Sequence, residues 1–125
     1  MTIQEALDMI DEMKPNMMSR KMKIKYLNEI EGLVHQEIVM THEHTEEEAI
    51  KPHYTEETEP GTEMIVPEPY SLLYVYWVMT KIDIQNMEDE RYNADRAQFE
   101  NHYNMMSDWW TRTRMPIQTT REFRL

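Results

Sequence analysis

From Leu72 to Met79 the chain reads LLYVYWVM, apolar at every position. A helix built on this run has no polar side, so it must be covered all round. Eight residues fall far short of a membrane span, which needs about 20. The run is rich in Tyr, Val and Trp, and a buried strand is the competing reading. Thr80-Lys81-Ile82-Asp83-Ile84 extends the element beyond ordinary strand length and favours a helix over 69–85. Pro67 and Pro69 introduce it, since proline suits a first helical turn.

The other elements follow from local signals. Thr2 and Glu5 form a capping-box pattern ahead of Ile3, Ala6, Leu7, Ile10 and Met13 at helical spacing. Pro15 ends this first helix, predicted over 2–14. Ser19 caps a second helix over 19–40, with Leu27, Ile30, Leu33, Val34 and Ile38 on its apolar face. Lys21, Lys23 and Lys25 sit near its start, where the helix dipole disfavours cations. Gly32 in its interior costs about 1 kcal/mol relative to Ala, either tolerated or required by close packing. Asn86 is the predicted cap of a fourth helix over 87–114, with Tyr92, Phe99, Tyr103, Met106 and Trp110 as its stripe. Arg96 falls on that stripe and is expected at its edge, beside a carboxylate. The predicted core is Leu27, Ile30, Val34, Leu73, Trp77, Phe99, Tyr103 and Trp110.

The chain of 125 residues is therefore read as one all-α domain over 1–125, a small bundle of about four helices. A long acidic loop, 41–66, lies between helices 2 and 3. It is expected to be exposed, with the apolar Met64, Ile65 and Val66 at its end able to anchor it. Residues 115–125 are expected to form a mobile basic tail. Thirteen methionines read mainly as adaptable core filler.

Charge narrows the functional classes. Formal net charge is -11, which argues against general binding to nucleic-acid phosphates. Residues 41–63 hold eight Glu and one Lys, whereas 112–125 hold four Arg and one Glu. Solvated polar segments explain this asymmetry, and head-to-tail contact between copies is the functional alternative. The candidate partner contacts are Glu46, Glu47, Glu56, Glu57, Trp109, Arg112, Arg114, Arg121 and Arg124. Trp109 is included because adjacent helix residues point about 100° apart, so it cannot share the stripe of Trp110.

Catalytic hardware is not expected. There is no cysteine, and the two glycines, Gly32 and Gly61, build no phosphate-cradling loop. Ser19, Ser71 and Ser107 lack a nucleophile-elbow context. Glu46-Glu47-Glu48 and Glu56-Glu57 read as solvated runs. His42-Glu43-His44 is the single metal-like cluster, with no metalloprotease spacing, and solvated loop histidines are the preferred reading. No enzyme, cofactor or metal is expected. The acidic residues Glu5, Asp8, Asp11 and Glu12 argue against a signal peptide.

Certain residues carry a resemblance. They are Lys14-Pro15-Asn16, a Lys-rich helix ending in Glu37-Ile38, Val66-Pro67-x-Pro69-Tyr70, Leu73-Tyr74-x-Tyr76-Trp77, Lys81-Ile82-Asp83, Tyr92-Asn93 and Arg112-Thr113-Arg114-Met115-Pro116. Over nearly its full length the chain resembles the phage and prophage head–tail connector proteins (adaptor, or head-completion proteins) of phages infecting Gram-positive bacteria. The chain departs from that pattern at Asn86-Met87, where relatives often carry a glycine after the Asn. The resemblance implies a helical bundle that assembles as a ring beneath the portal and joins capsid to tail around a DNA channel. It implies the portal protein, a tail-side completion protein and further copies of the chain as partners, with DNA as passing cargo and no membrane. It places the protein in the host cytoplasm during assembly and then at the virion head–tail interface. One alternative is a small helical protein-binding module of a prophage with no role in the virion. Another is a hydrolase built on the His42–His44 loop.

Overall fold

The computed structural model describes residues 1–117. It is an all-α bundle of four helices: α1 (Ile3–Met13), α2 (Arg20–Val34), α3 (Leu72–Gln85) and α4 (Asp89–Thr113). A π-helical turn, His35–Val39, prolongs α2. Two isolated β-bridges are present, Thr2 with Glu63 and His42 with Pro116, and there is no strand among the described residues. The run 72–79 is therefore helical.

α3 is the central element, with its longest packing against α4 and further faces against α1 and α2. Leu73, Tyr74, Val75, Trp77, Val78, Met79 and Ile82 are all buried along it. Burial on every side is the arrangement the unbroken apolar run required. The helix begins at Leu72 rather than Pro69, because Pro67 to Ser71 form a turn in which the Tyr70 N–H donates to the Pro67 carbonyl at 3.0 Å.

Local chemistry sets the helix ends. The Thr2 hydroxyl accepts from the Glu5 N–H and the Glu5 carboxylate accepts from the Thr2 N–H, closing both halves of the capping box. α1 stops where Lys14 turns extended before Pro15. Ser19 Oγ accepts from the Met22 N–H at 3.1 Å. Leu33 and Met13, both expected on apolar faces, are exposed. Helix α2 buries the line Ile24, Leu27, Ile30, Glu31 and Val34, and Leu33 points off that line. At the end of α1, Lys14 turns inward instead of Met13. On α4, Phe99, Met106 and Trp110 are buried, while Tyr92 and Tyr103 are half-buried. Arg96 lies at the stripe edge as expected, 3.1 Å from Glu100 and above the Trp77 and Phe99 rings.

Three expectations are corrected. Asn86 does not cap α4; its N–H donates to the Ile82 carbonyl at 2.9 Å and closes α3. Met87 then takes a left-handed conformation, φ 57°, and α4 starts at Asp89. The chain must reverse within three residues, and a left-handed residue achieves that. Second, the segment 41–66 is not simply exposed. Its Glu43, Glu46, Glu47, Glu56 and Glu57 face solvent, but His42, Tyr54, Met64 and Val66 are buried. Backbone bonds from Ile3 to Thr62, Gln4 to Pro60 and Met64 to Met1 tie its end to the start of α1. Lys51 crosses α2 at Gly32, where a Cβ would stand 3.2 Å from the Lys51 Cε. Third, the start of the expected tail is paired: Glu43 N–H donates to the Met115 carbonyl and Ile117 N–H to the Thr41 carbonyl, each at 2.8 Å. The rest of that tail, including Arg121 and Arg124, lies outside the described residues.

Candidate functional site

The candidate contact residues fall in two places. Glu46 and Glu47 are exposed beside Glu48, which binds Arg114 across the gap between loop and helix, 2.6 Å apart. The Thr45 N–H, and after it the Arg114 guanidinium, hold the Glu48 carboxyl below its usual range. Arg114 also lies over the Trp110 ring, 4.3 Å from its centroid. Arg114 is thus engaged within its own chain, while Arg112 is exposed. Trp109 is half-buried, 5.6 Å from the Tyr70 ring and edge-on to Trp110 at 5.9 Å. Glu56 and Glu57 stand elsewhere, on one wall of an open groove of about 520 Å³. Lys21 and Lys25 of α2 also line it, and Met22, Ile24 and Tyr54 supply its apolar lining.

The histidine cluster does not assemble. His42 is buried, which corrects its reading as a solvated loop residue. Its Nδ1–H donates to the Ile38 carbonyl at 2.8 Å and its Nε2 accepts from the Thr111 hydroxyl at 3.1 Å. The His44 Nδ1–H donates to the His42 carbonyl at 2.7 Å. The His42 ring thus clips the loop to the π-helical turn and α4, while the His44 ring bonds within the loop. Among the described residues no three His, Asp or Glu side chains are grouped to hold a metal ion.

The sequence reading missed a buried carboxylate. Glu31 is wholly buried on α2. It accepts from the Tyr54 hydroxyl at 2.6 Å, from the Tyr74 hydroxyl, and from the Ile65 N–H at 2.9 Å. The Tyr74 oxygen in turn accepts from the Val66 N–H at 2.9 Å. Burial pushes the Glu31 carboxyl up despite these donors. Burial and then the Glu31 charge push both phenols well above their ordinary range. One carboxylate thereby fastens the middle and the end of the loop to two helices. The signal was present in the spacing: Glu31 lies four residues after Leu27 and three before Val34, on the apolar face itself.

A second buried cluster joins α1, α3 and α4. Lys14 donates to Asp83 and lies 3.0 Å from Asp95. Asp83 is wholly buried, and its Oδ2 has no hydrogen-bond partner among the described residues. Burial disfavours the Lys14 charge, but the two carboxylates outweigh it and hold its pKa raised. Chemically, both clusters are fasteners that fix helices and loop in register.

In comparisons with known proteins, no family profile, curated protein or solved structure matches this chain.

Proposed function

We propose that the chain is a structural phage protein, a head–tail connector that forms a ring under the portal and joins the capsid to the tail around a DNA channel. The observation that supports this reading is that residues carrying the resemblance, scattered along the sequence, meet inside one bundle. Lys14 meets Asp83, and Val66 meets Tyr74. The resembling motifs therefore describe one packed body. Net charge agrees with a conduit, since a surface of formal charge -11 does not grip passing phosphates. No helix among the described residues is long and apolar enough to cross a membrane.

In this reading the partners are the portal protein, a tail-side completion protein and neighbouring copies. The site of action is the host cytoplasm during assembly and then the head–tail interface. Subunits of a ring meet through two different, complementary patches. The exposed Glu residues of 43–59 and the Arg-rich end of the sequence supply opposite charge for such patches. The isolated protein is monomeric or weakly associating, because small interfaces do not overcome the entropic cost of association alone. The ring then forms on the portal. The test is deletion of the gene from its phage or prophage. Heads that package DNA but carry no tails, or leak their DNA, are expected; normal joined particles would overturn the proposal.

A further inference from the structure

Where α1, α3 and α4 meet, two carboxyls face one cation. Lys14 donates to Asp83 and lies 3.0 Å from Asp95 Oδ2, but that second pair is not aligned as a hydrogen bond. Asp83 Oδ2 and Asp95 Oδ2 are therefore both buried with no hydrogen-bond donor among the described residues. Two such oxygens side by side are costly. One proton held between the carboxyls gives the missing donor. It also leaves the cluster neutral, with one ammonium, one carboxylate and one carboxyl. Asp95 acts on Asp83 through a side-chain hydrogen bond as well as through its charge, as such a pair requires.

Little else fastens the start of α4. From Asp89 to Gln98 no side chain is buried; Tyr92, Asp95 and Arg96 are half-buried, and full burial on α4 begins at Phe99. A helical segment this short is marginal in water unless it is docked. Asp95 is the member of the pair that can leave, since 14% of its side chain is exposed and none of Asp83's is. Of the charged groups on the elements packed against α3, Lys14 and Asp95 face Asp83. Asp11 of α1 pairs with Lys23 of α2, Glu29 of α2 pairs with Lys81 of α3, and Glu31 of α2 is taken up by the Tyr54 and Tyr74 hydroxyls. At the start of α4, Glu88 pairs with Arg91 at 3.5 Å.

We propose that Asp83 and Asp95 share one proton and so form a proton-operated clamp: with the proton in place α4 lies against α3 from its first turns, and loss of the proton to solvent releases residues 89–98 while Phe99 onward stays docked. Without the proton two carboxylates confront each other across one ammonium, and the half-exposed Asp95 relieves the repulsion by moving into water with its helix. The sign follows from the raised Asp83 value. The closed form is complete below the ordinary 3.8 and is lost as pH rises through about 6. The released state is a local opening, distinct from unfolding of the bundle.

The test is pulsed hydrogen exchange on the full chain at about pH 5 and about pH 8, each rate divided by the intrinsic rate at that pH. The amides of 92–98 donate within α4. Their protection should fall about tenfold or more between the two conditions, while that of 99–110 stays within about twofold. Asp95→Asn keeps a donor to Asp83 that does not titrate, so its 92–98 amides should stay protected at both pH values. Asp83→Asn removes the titrating acid and should behave in the same way. Asp95→Ala removes the fastening and should leave those amides weakly protected at both. Circular dichroism of each variant checks the fold, and the wild-type profile decides the matter even where a variant does not fold. Equal protection of 92–98 in the wild type at both pH values would overturn the proposal. So would a loss spread evenly over α3 and α4, pH dependence that survives in Asp95→Asn or Asp83→Asn, or full protection in Asp95→Ala.

Discussion

Lys14, at the end of α1, binds Asp83 on α3, sixty-nine residues further along the chain. The same ammonium lies 3.0 Å from Asp95 on α4, so one cation holds three helices. Its position depends on Pro15, which stops α1 where Lys14 turns inward.

This cluster predicts a displaced titration. Burial, and then the neighbouring Asp95 carboxyl, push Asp83 up to about 6. The folded-state value exceeds the ordinary 3.8, so Asp83 stabilises the fold fully below that value, and the contribution is lost as pH rises through 6. A carbon-13 carboxyl titration should place the Asp83 midpoint near 6. Lys14→Met should raise it further, because the buried Asp83 and the half-buried Asp95 then share no cation, and should destabilise the fold by about 3–5 kcal/mol. A midpoint at or below the ordinary carboxylate value would contradict the cluster.

Glu31 gives the second prediction. Glu31→Ala leaves the Tyr54 and Tyr74 hydroxyls and the Ile65 N–H buried without their acceptor, and should cost about 3–5 kcal/mol in chemical denaturation. Tyr54→Phe removes one donor to a charged group and should cost about 1.5–3 kcal/mol. In an alkaline absorbance titration of the seven tyrosines, Tyr54, Tyr74 and Tyr103 should stay protonated beyond the ordinary phenol range. For Tyr103 the cause is burial followed by the Glu37 charge. Ionisation of all seven together, in folded protein, would be inconsistent with these bonds.

Hydrogen exchange should divide the loop. The amide of Tyr54 donates to Asn28 Oδ1 at 2.8 Å, and those of Ile65 and Val66 donate into the Glu31 cluster. These three should exchange slowly in native protein, and those of Glu46, Glu47 and Glu56 fast. In Tyr54→Phe the Ile65 and Val66 amides should lose protection before the helices do. Uniformly fast exchange over 43–66 would return the segment to the fully exposed state expected from its composition.

Met87 is the fourth test. Its φ of 57° lies in the region that favours glycine, and its side chain is 87% exposed, so little packing is lost on removing it. Met87→Gly should stabilise the protein by about 1 kcal/mol, while Met87→Val should destabilise it, because a branched side chain tolerates this backbone least. A rise in Tm for valine above glycine would show that the turn relaxes to another conformation.

Much of the architecture was legible because it is written in near-neighbour chemistry. The Thr2–Glu5 box, the Ser19 cap, the stop at Pro15 and the apolar run of α3 each act over a few residues, so four helices and much of the core were legible, while the turn at Asn86-Met87 was not. The chain's own order also showed the opposite charges of 41–63 and the terminal segment. What only the tertiary structure decided joins residues tens of positions apart. Glu31 is a polar residue on an apolar face, and its burial makes sense only once Tyr54, Tyr74 and Ile65 converge on it. His42 reads as a loop histidine until Ile38 and Thr111 take its two ring nitrogens. Lys14 and Asp83 are unremarkable apart and become a buried pair together. A buried polar group is stable only with its partners present, and spacing within one helix does not record which distant residue the fold will bring to it.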